Sequence, residues 1–291
     1  VAHETFGKIV AALRKEQVDF ATGRRWSQQK LADETGLTKR IVSKIERGRQ
    51  ARLEGEVLQG LASAFELTSL ERREFFSLAS LSADKAIVRA DLDHREVFER
   101  AWASLSAIGL PAFLMDTFGN VVGINRAMIA FHGCNMAQIN AAKGSAEGVN
   151  LLGLLFAQDA PLRRVLGNGW HSNAMTEVRH WRAMTLRYRH TEQFQQLYTA
   201  LAALPDFPIF WSATRERLQD INSRLHSHVY THRVHGPVGY TVFTDVSLSD
   251  HGDLYLSAYV PQDRGTIELF QRLAVTNQQA LPLASWPSYG Y

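Results

Sequence analysis

The sequence predicts an all-α helix-turn-helix domain followed by an α+β domain, in which a five-stranded antiparallel sheet carries a long helical insert. Three observations predict it. Residues 27–48, SQQKLADETGLTKRIVSKIERG, set out a hydroxyl cap, a small apolar face, a glycine, an apolar plug and a second capped helix. Residues 112–133 run strand, DTFGN turn, strand and an Asn-led apolar helix. Near the C-terminus, three β-rich segments are joined by HGPVG and SLSDHGD, both hairpin-like links.

A chain of 291 residues is long enough for two domains. We expect them at 1–82 and 110–275, with a helical connector at 83–109 and an irregular tail at 276–291. The 45% hydrophobic and 21% charged fractions are those of an ordinary globular protein. No run of about eighteen apolar residues exists to span a membrane. The first residues, VAHETFGKIV, lack the apolar core of a signal peptide. A single cysteine, Cys134, excludes an internal disulfide framework and a multi-cysteine zinc site. These features together predict a cytoplasmic protein with no membrane contact. Residues 24–52 hold nine Lys/Arg against three Asp/Glu, whereas residues 91–291 are near balance at sixteen against seventeen. The positive field therefore lies on the helix-turn-helix, as binding to phosphates requires.

Taken in order, residues 4–17 read as a helix with Phe6, Ile9, Val10 and Leu13 on one stripe. VDFATGRRW follows as a link, with Arg24 and Arg25 placed to clamp phosphate. Ser27 caps the next helix, whose inner face is Leu31 and Ala32. Gly36 takes the left-handed turn, Leu37 plugs it and Thr38 caps the second motif helix. Val42 and Ile45 point inward there, so Lys39, Arg40, Ser43, Lys44 and Arg47 form the outer face. Long cations on a helix that fits the major groove reach guanine edges and phosphates. The blander alternative is a helical bundle with a solvated basic face. After a basic loop, a helix buries Val57, Leu58, Leu61, Ala62 and Phe65. Thr68 and Glu71 then form a capping box for a fifth helix through Phe75, Phe76 and Leu78.

The 27–48 stretch resembles the XRE family of phage-repressor-like regulators, whose pattern is roughly SQxxLAxxxGxxxxxISxxExG, with Val42 in place of the usual isoleucine. The resemblance implies double-stranded DNA as the partner. It implies that Gln28 contacts a phosphate, that Lys39, Arg40 and Lys44 face bases, and that Arg47 touches the backbone. Glu46 would pair with an arginine of the preceding helix, and Arg14 is the expected partner.

Residues 82–105 read as a helical connector whose Val97, Phe98, Ala101, Trp102 and Leu105 form an apolar stripe. The stripe is too short for an independent coiled coil, so docking on the second domain is favoured over a dimer seam. Strands are expected at 112–115, 121–124, 225–234, 240–246 and 254–260. Gly119 and Asn120 suit the positive φ of the DTFGN turn. The opening strand, DxxGN turn, strand and Asn-capped helix resemble the start of a PAS domain. The insert, about 100 residues long, is mostly helical. From about residue 24 to 260 the chain resembles the MmyB-like regulators, in NLLGLLF (150–156), TLR (185–187), PDFPIFW (205–211) and HGPVG. Gly123–Ile124 departs from that family, which has a tryptophan before Asn125, and is expected to change the pocket's shape. The resemblance implies an XRE helix-turn-helix joined to a PAS-like domain that senses an apolar, fatty-acyl effector.

Expected pocket-lining residues are Phe113, Met115, Ile124, Met128, Phe131, Leu155, Phe156, Trp181 and Trp211, each of which also reads as plain core. Arg187, Arg182 and Asn125 are the expected anchors for an acyl carboxylate. His226, His228 and His232 share strand parity, so zinc or nickel binding competes with exposed polar strand residues. The second reading is favoured, because no acidic or thiol partner has metal spacing nearby. No GxSxG, Walker loop, HExxH or GxGxxG appears, so no catalytic residues are assigned and the chain reads as a non-enzyme. We expect a regulator that binds a near-palindromic operator as a homodimer, responds to a small apolar effector and has no obligatory cofactor or metal. Two alternatives stand beside it. One is a redox or gas sensor with flavin, or with haem on His132, His180 or His190. The other is a constitutive repressor whose second domain only dimerises.

Overall fold

The computed structural model describes residues 2–50, 53–83, 93–157, 161–216, 226–249, 252–274 and 280–287. It divides into two compact units. One holds residues Val1–Ile87, Arg182–Tyr198 and Trp211–Ile221; the other holds Val88–Trp181, Thr199–Phe210 and Asn222–Tyr291. This differs from the boundaries read in the sequence, because two segments of the insert belong with the N-terminal helices. Part of the expected connector, residues 84–92, lies outside the described residues.

The first unit contains α1 (Ala2–Glu16), α2 (Gln28–Thr35), α3 (Lys39–Glu46), α4 (Gly55–Ala64) and α5 (Ser69–Ala83). Its core joins Phe6, Ile9, Val10 and Leu13 of α1 to Leu31, Val42, Ile45, Leu61, Phe65 and Phe75. Leu186, from the insert, is fully buried in the same cluster. Gly7 explains how closely α1 and α3 approach: a Cβ there would stand 2.5 Å from the Ile45 carbonyl oxygen. The link between α1 and α2 closes on a Val18–Arg25 bridge and leaves Phe20 fully exposed. The capping box at α5 forms as its sequence predicts. Thr68 N–H donates to Glu71 Oε2 at 2.9 Å, and Glu71 N–H to Thr68 Oγ1 at 3.3 Å.

Glu71 is also the centre of a buried ionic cluster. Its carboxylate lies 3.0 Å from Arg182 Nη2 and 3.1 Å from Arg189 Nη2. Arg189 Nη1 donates to Glu16 at 2.7 Å. Both guanidinium groups lie over the Trp211 ring, at 4.3 and 4.7 Å from its centroid. Burial opposes the Glu71 charge, but Arg182, Arg189 and the Thr68 hydrogen bonds more than offset it and hold its pKa below the ordinary value.

The second unit begins with α6 (His94–Ala107), β1 (Ala112–Asp116), β2 (Val121–Ile124), α7 (Arg126–His132), α8 (Met136–Lys143), α9 (Leu151–Phe156) and α10 (Pro161–Leu166). The chain continues through α11 (Trp170–Met184), α12 (Glu192–Ala202) and α13 (Phe207–Glu216), each shared between the two sets of segments. It ends with β3 (His226–His232), β4 (Gly236–Ser247), β5 (Leu254–Pro261), α14 (Arg264–Ala274) and β6 (Leu281–Pro282). The antiparallel sheet has six strands in the order β3-β4-β5-β1-β2-β6, not five. The sixth comes from the tail expected to be irregular: Leu281 and Pro282 pair with Ile124 and Gly123. Proline is tolerated there because β6 is an edge strand.

Strand alternation assigns the two faces. Val97, Ala101 and Leu105 of α6 pack on Ala112, Leu114, Val122, Leu254, Leu256 and Ala258, so the stripe docks on the sheet. Opposite-parity residues Phe113 and Tyr259 meet at 6.4 Å, and Tyr259 joins Phe131 of α7 and Tyr240. β1 is buried on both faces, which explains its unbroken apolar run. Gly123 is a packing requirement, since a Cβ there would stand 2.4 Å from Trp102 Cζ3.

Candidate nucleic-acid interface and effector pocket

The helix-turn-helix is built from local hydrogen bonds. Ser27 Oγ accepts the Lys30 N–H at 3.1 Å and Thr38 Oγ1 accepts the Ile41 N–H at 3.3 Å. Gly36 closes α2 at φ 69°, and Leu37 N–H returns to the Ala32 carbonyl at 3.0 Å. Val42 and Ile45 anchor α3 in the core, while Lys39, Arg40, Lys44 and Arg47 are exposed and Ser43 half-buried. Glu46 does not neutralise that face. Its carboxylate takes Arg14 Nε at 2.6 Å and Nη2 at 3.1 Å, while Arg14 Nη1 donates to the Trp26 carbonyl at 2.6 Å. One fork thus braces α1, the link and α3 together. Gln28 Nε2 also donates to Glu46, at 2.7 Å, which leaves one amide hydrogen for a phosphate. Arg24 and Arg25 are exposed ahead of α2.

In the second unit, Asp116 shapes the DTFGN turn. Its Oδ1 accepts the Phe118 and Asn120 N–H groups at 2.9 Å, and Asn120 Nδ2 donates to Oδ2 at 2.9 Å. Gly119 takes φ 80°. A cavity of about 60 Å³ lies beside this region. Of the residues expected to line a pocket, Phe113, Ile124 and Met128 line it. They are joined by Val121, Ile139, Leu154 and Leu162, with His132, Cys134 and Tyr259 as polar lining. Met115, Phe131, Leu155, Phe156 and Trp181 are buried in the same unit without lining this cavity. Phe156 packs in an aromatic group with Trp170, Phe207 and Phe210, and Trp181 Nε1 donates to the Phe118 carbonyl. The cavity holds only a few heavy atoms, so an acyl chain enters only if its walls move.

The three expected carboxylate anchors are employed elsewhere. Asn125 Oδ1 accepts the Met128 and Ala112 N–H groups, and its Nδ2 donates to the Ile108 and Leu110 carbonyls. It is a helix cap with its hydrogen-bonding capacity filled. Arg182, with Trp211, belongs to the buried cluster of the first unit, and Arg187 pairs with Glu74 there at 2.6 Å.

The histidines are placed differently from the favoured expectation of exposed strand residues. His228 and His232 are buried, with Tyr230 between them on the same face; the His226 side chain lies outside the described residues. His232 stacks on His235 at 4.5 Å, and its Nδ1 accepts the Val234 and His235 N–H groups at 3.1 Å. Burial, then the nearby His232 and His235, push His132 down to about 3. Burial and His235 push His232 down to about 4. Both imidazoles are therefore neutral at neutral pH. Burial raises the Cys134 thiol to about 11, which keeps it protonated and unreactive. Among the described residues no group of three or more His, Cys, Asp or Glu side chains is arranged to hold a metal. Of the histidines suggested as alternative haem ligands, His190 belongs to the first unit and His132 and His180 to the second. Among the described residues no helix is long and apolar enough to cross a membrane.

Sequence reasoning missed the Glu71–Arg182–Arg189–Glu16 cluster and the polar lining by His132, Cys134 and Tyr259. Arginines recurring within the apolar RHWRAMTLRYRH stretch were the available signal for the first. Compared with known proteins, residues 93–273 match the model of the MmyB-like transcription regulator ligand binding domain, and residues 23–72 match a helix-turn-helix model. A search of curated proteins finds no match.

Proposed function

Since the chain belongs to the MmyB-like transcription regulators, a DNA-binding helix-turn-helix joined to a ligand-binding domain, we propose how it uses them: it binds a near-palindromic operator as a homodimer, and an apolar, fatty-acyl effector in the PAS-like second unit changes that binding. The observation that carries the reading is the outer face of α3. Four cations are exposed there, and the one carboxylate of the helix is turned onto Arg14. Lys39, Arg40 and Lys44 read base edges, with Ser43 beside them. Arg47, Gln28, Arg24 and Arg25 hold phosphates. The apolar walls around Phe113, Ile124 and Met128 suit a hydrocarbon chain. No catalytic step and no obligatory cofactor enter this reading.

Effector action is a population shift between operator-competent and incompetent arrangements, which requires different affinity for the two. The test is mass spectrometry of the purified chain, native and after organic extraction, followed by operator binding of the extracted and reloaded protein. A released fatty acid that changes operator affinity supports the reading. Extraction that leaves operator affinity unchanged overturns the effector's role and favours a second unit that only dimerises. A coloured extract would point to haem or flavin instead.

A further inference from the structure

The polar lining of the effector cavity carries no formal charge: among the described residues no Lys, Arg, Asp or Glu lines it. The cations expected to anchor a carboxylate, Arg182 and Arg187, are held by Glu71 and Glu74 in the first unit. We infer that the cavity takes an acyl chain whose head is an uncharged carbonyl, as in an acyl ester, and that Gln138 recognises this head. The inference rests on the reading of this cavity as the effector's site and narrows the effector's chemistry.

Gln138 lies in the first turn of α8, is half-buried and lines the cavity. The capping box of that helix holds its amide in place. Gln138 Oε1 accepts the Asn135 N–H at 3.0 Å, and Asn135 Oδ1 accepts the Gln138 N–H at 2.9 Å. A backbone N–H only donates, so the bonded side-chain atom is the oxygen and the free one is the nitrogen. Gln138 Nε2 makes no hydrogen bond within the described residues. A residue at the cavity thus carries two unused N–H donors on a fixed amide, and a donor asks for an acceptor such as a carbonyl oxygen.

The surroundings choose between a neutral acceptor and a charged one. Burial alone raises the Cys134 thiol, and burial with His232 and His235 lowers His132, so neither group feels a cation. Burial, then Tyr230 and the Glu177 carboxyl, raise Tyr259. The carboxyl acting on this lining is therefore an acid, with no base to balance it. A carboxylate entering here would lose water against Val121, Ile139 and Leu162, gain no counter-charge and meet Glu177. An ester carbonyl accepts the same hydrogen bond from Gln138 without that cost.

The test is isothermal titration calorimetry of the full chain with methyl octanoate and with octanoate. It is run at about pH 8, where octanoate and Glu177, raised to about 7 by burial, are both ionised. The short chain limits the wall movement that a cavity of about 60 Å³ requires. The ester should bind at least about tenfold more tightly than the acid. Gln138→Glu keeps the capping box and removes the donor, so it should weaken the ester roughly tenfold with the thermal midpoint unchanged. Gln138→Lys supplies a cation and should tighten octanoate roughly tenfold, a gain that a damaged fold does not produce. Octanoate bound as tightly as the ester in the native chain, an unchanged ester affinity in Gln138→Glu, or an unchanged octanoate affinity in Gln138→Lys would overturn the inference. Leu154→Phe, which fills the cavity, separates this claim from the one beneath it and should abolish ester binding. Undiminished ester binding in that variant, or no saturable binding of either probe to the native chain, would overturn the reading of the cavity itself and the inference with it.

Discussion

Glu71→Gln isolates the charge of the buried cluster. Glutamine keeps the shape of the side chain, and its oxygen still accepts the Thr68 N–H now bonded at 2.9 Å. The helix cap therefore survives, and with it about 1 kcal/mol. What is lost is the carboxylate lying 3.0 and 3.1 Å from two guanidinium groups. Arg189 keeps Glu16, whereas buried Arg182 loses the Glu71 carboxylate and keeps the Trp211 carbonyl and ring among its partners. Removing one partner of a buried pair costs about 3–5 kcal/mol, a large part of a total stability of about 5–15 kcal/mol. Urea unfolding followed by circular dichroism should show the midpoint falling by about 2 M, for a slope near 2 kcal/mol per M. The sign with pH is also fixed. A carboxyl whose folded pKa is depressed contributes stability above its unfolded value, near 4, and loses it as pH falls through the folded value. The native chain should lose this increment in acid, whereas Glu71→Gln should not. Pairing Glu71→Leu with Arg182→Met should recover part of the loss, because apolar replacement of a whole buried pair is often neutral. A loss below about 1 kcal/mol for Glu71→Gln would refute the claim that the charges, rather than the cap, carry the effect.

Three further outcomes are expected. Gly7→Ala should destabilise the first unit by about 1–3 kcal/mol, despite alanine's better helix propensity, because its Cβ would meet the Ile45 carbonyl at 2.5 Å; a raised melting temperature would contradict this. His132 is held neutral by burial and by His232 and His235, at about 3 against an unfolded value near 6.5. Its contribution is complete above pH 6.5 and falls by about 2 kcal/mol at pH 5, so unfolding at pH 7 and pH 5 should differ less in His132→Gln than in the native chain. Arg40→Ala should lose about 1–3 kcal/mol on the specific operator and little on random DNA, measured by fluorescence anisotropy; equal losses would make Arg40 a phosphate contact.

What could be read from the sequence was local. The caps at Ser27, Thr38 and Asn125, the left-handed Gly36 and the Asp116–Asn120 turn each lie within about five residues, so their chemistry is printed side by side. The stripe of α6 was legible because helical periodicity exposes one face. The buried cluster was not, since Glu71 bonds Arg182 and Arg189 across 111 and 118 positions. An arginine's long-range partner leaves no periodic trace, and so Arg182 read equally well as a ligand anchor. The sixth strand escaped because two residues, one of them proline, carry no strand signal. Gly7 escaped because its need arises from a carbonyl that only packing brings near.

The match to the ligand-binding domain runs through residues 93–273, yet Arg182–Tyr198 belongs to the compact unit that holds the helix-turn-helix. The chemistry of that segment explains why it stays there. Apolar packing alone would tolerate many registers, but two guanidinium groups bonded to Glu71 and Glu16 and laid over one indole permit few. The segment also supplies Leu186 to the helical core. A fragment ending at residue 82 would therefore lose part of its core and both partners of Glu71. It should unfold at lower urea than the same helices in the full chain. A fragment of undiminished stability would show that the arginine segment rests on the DNA-binding helices without supporting them.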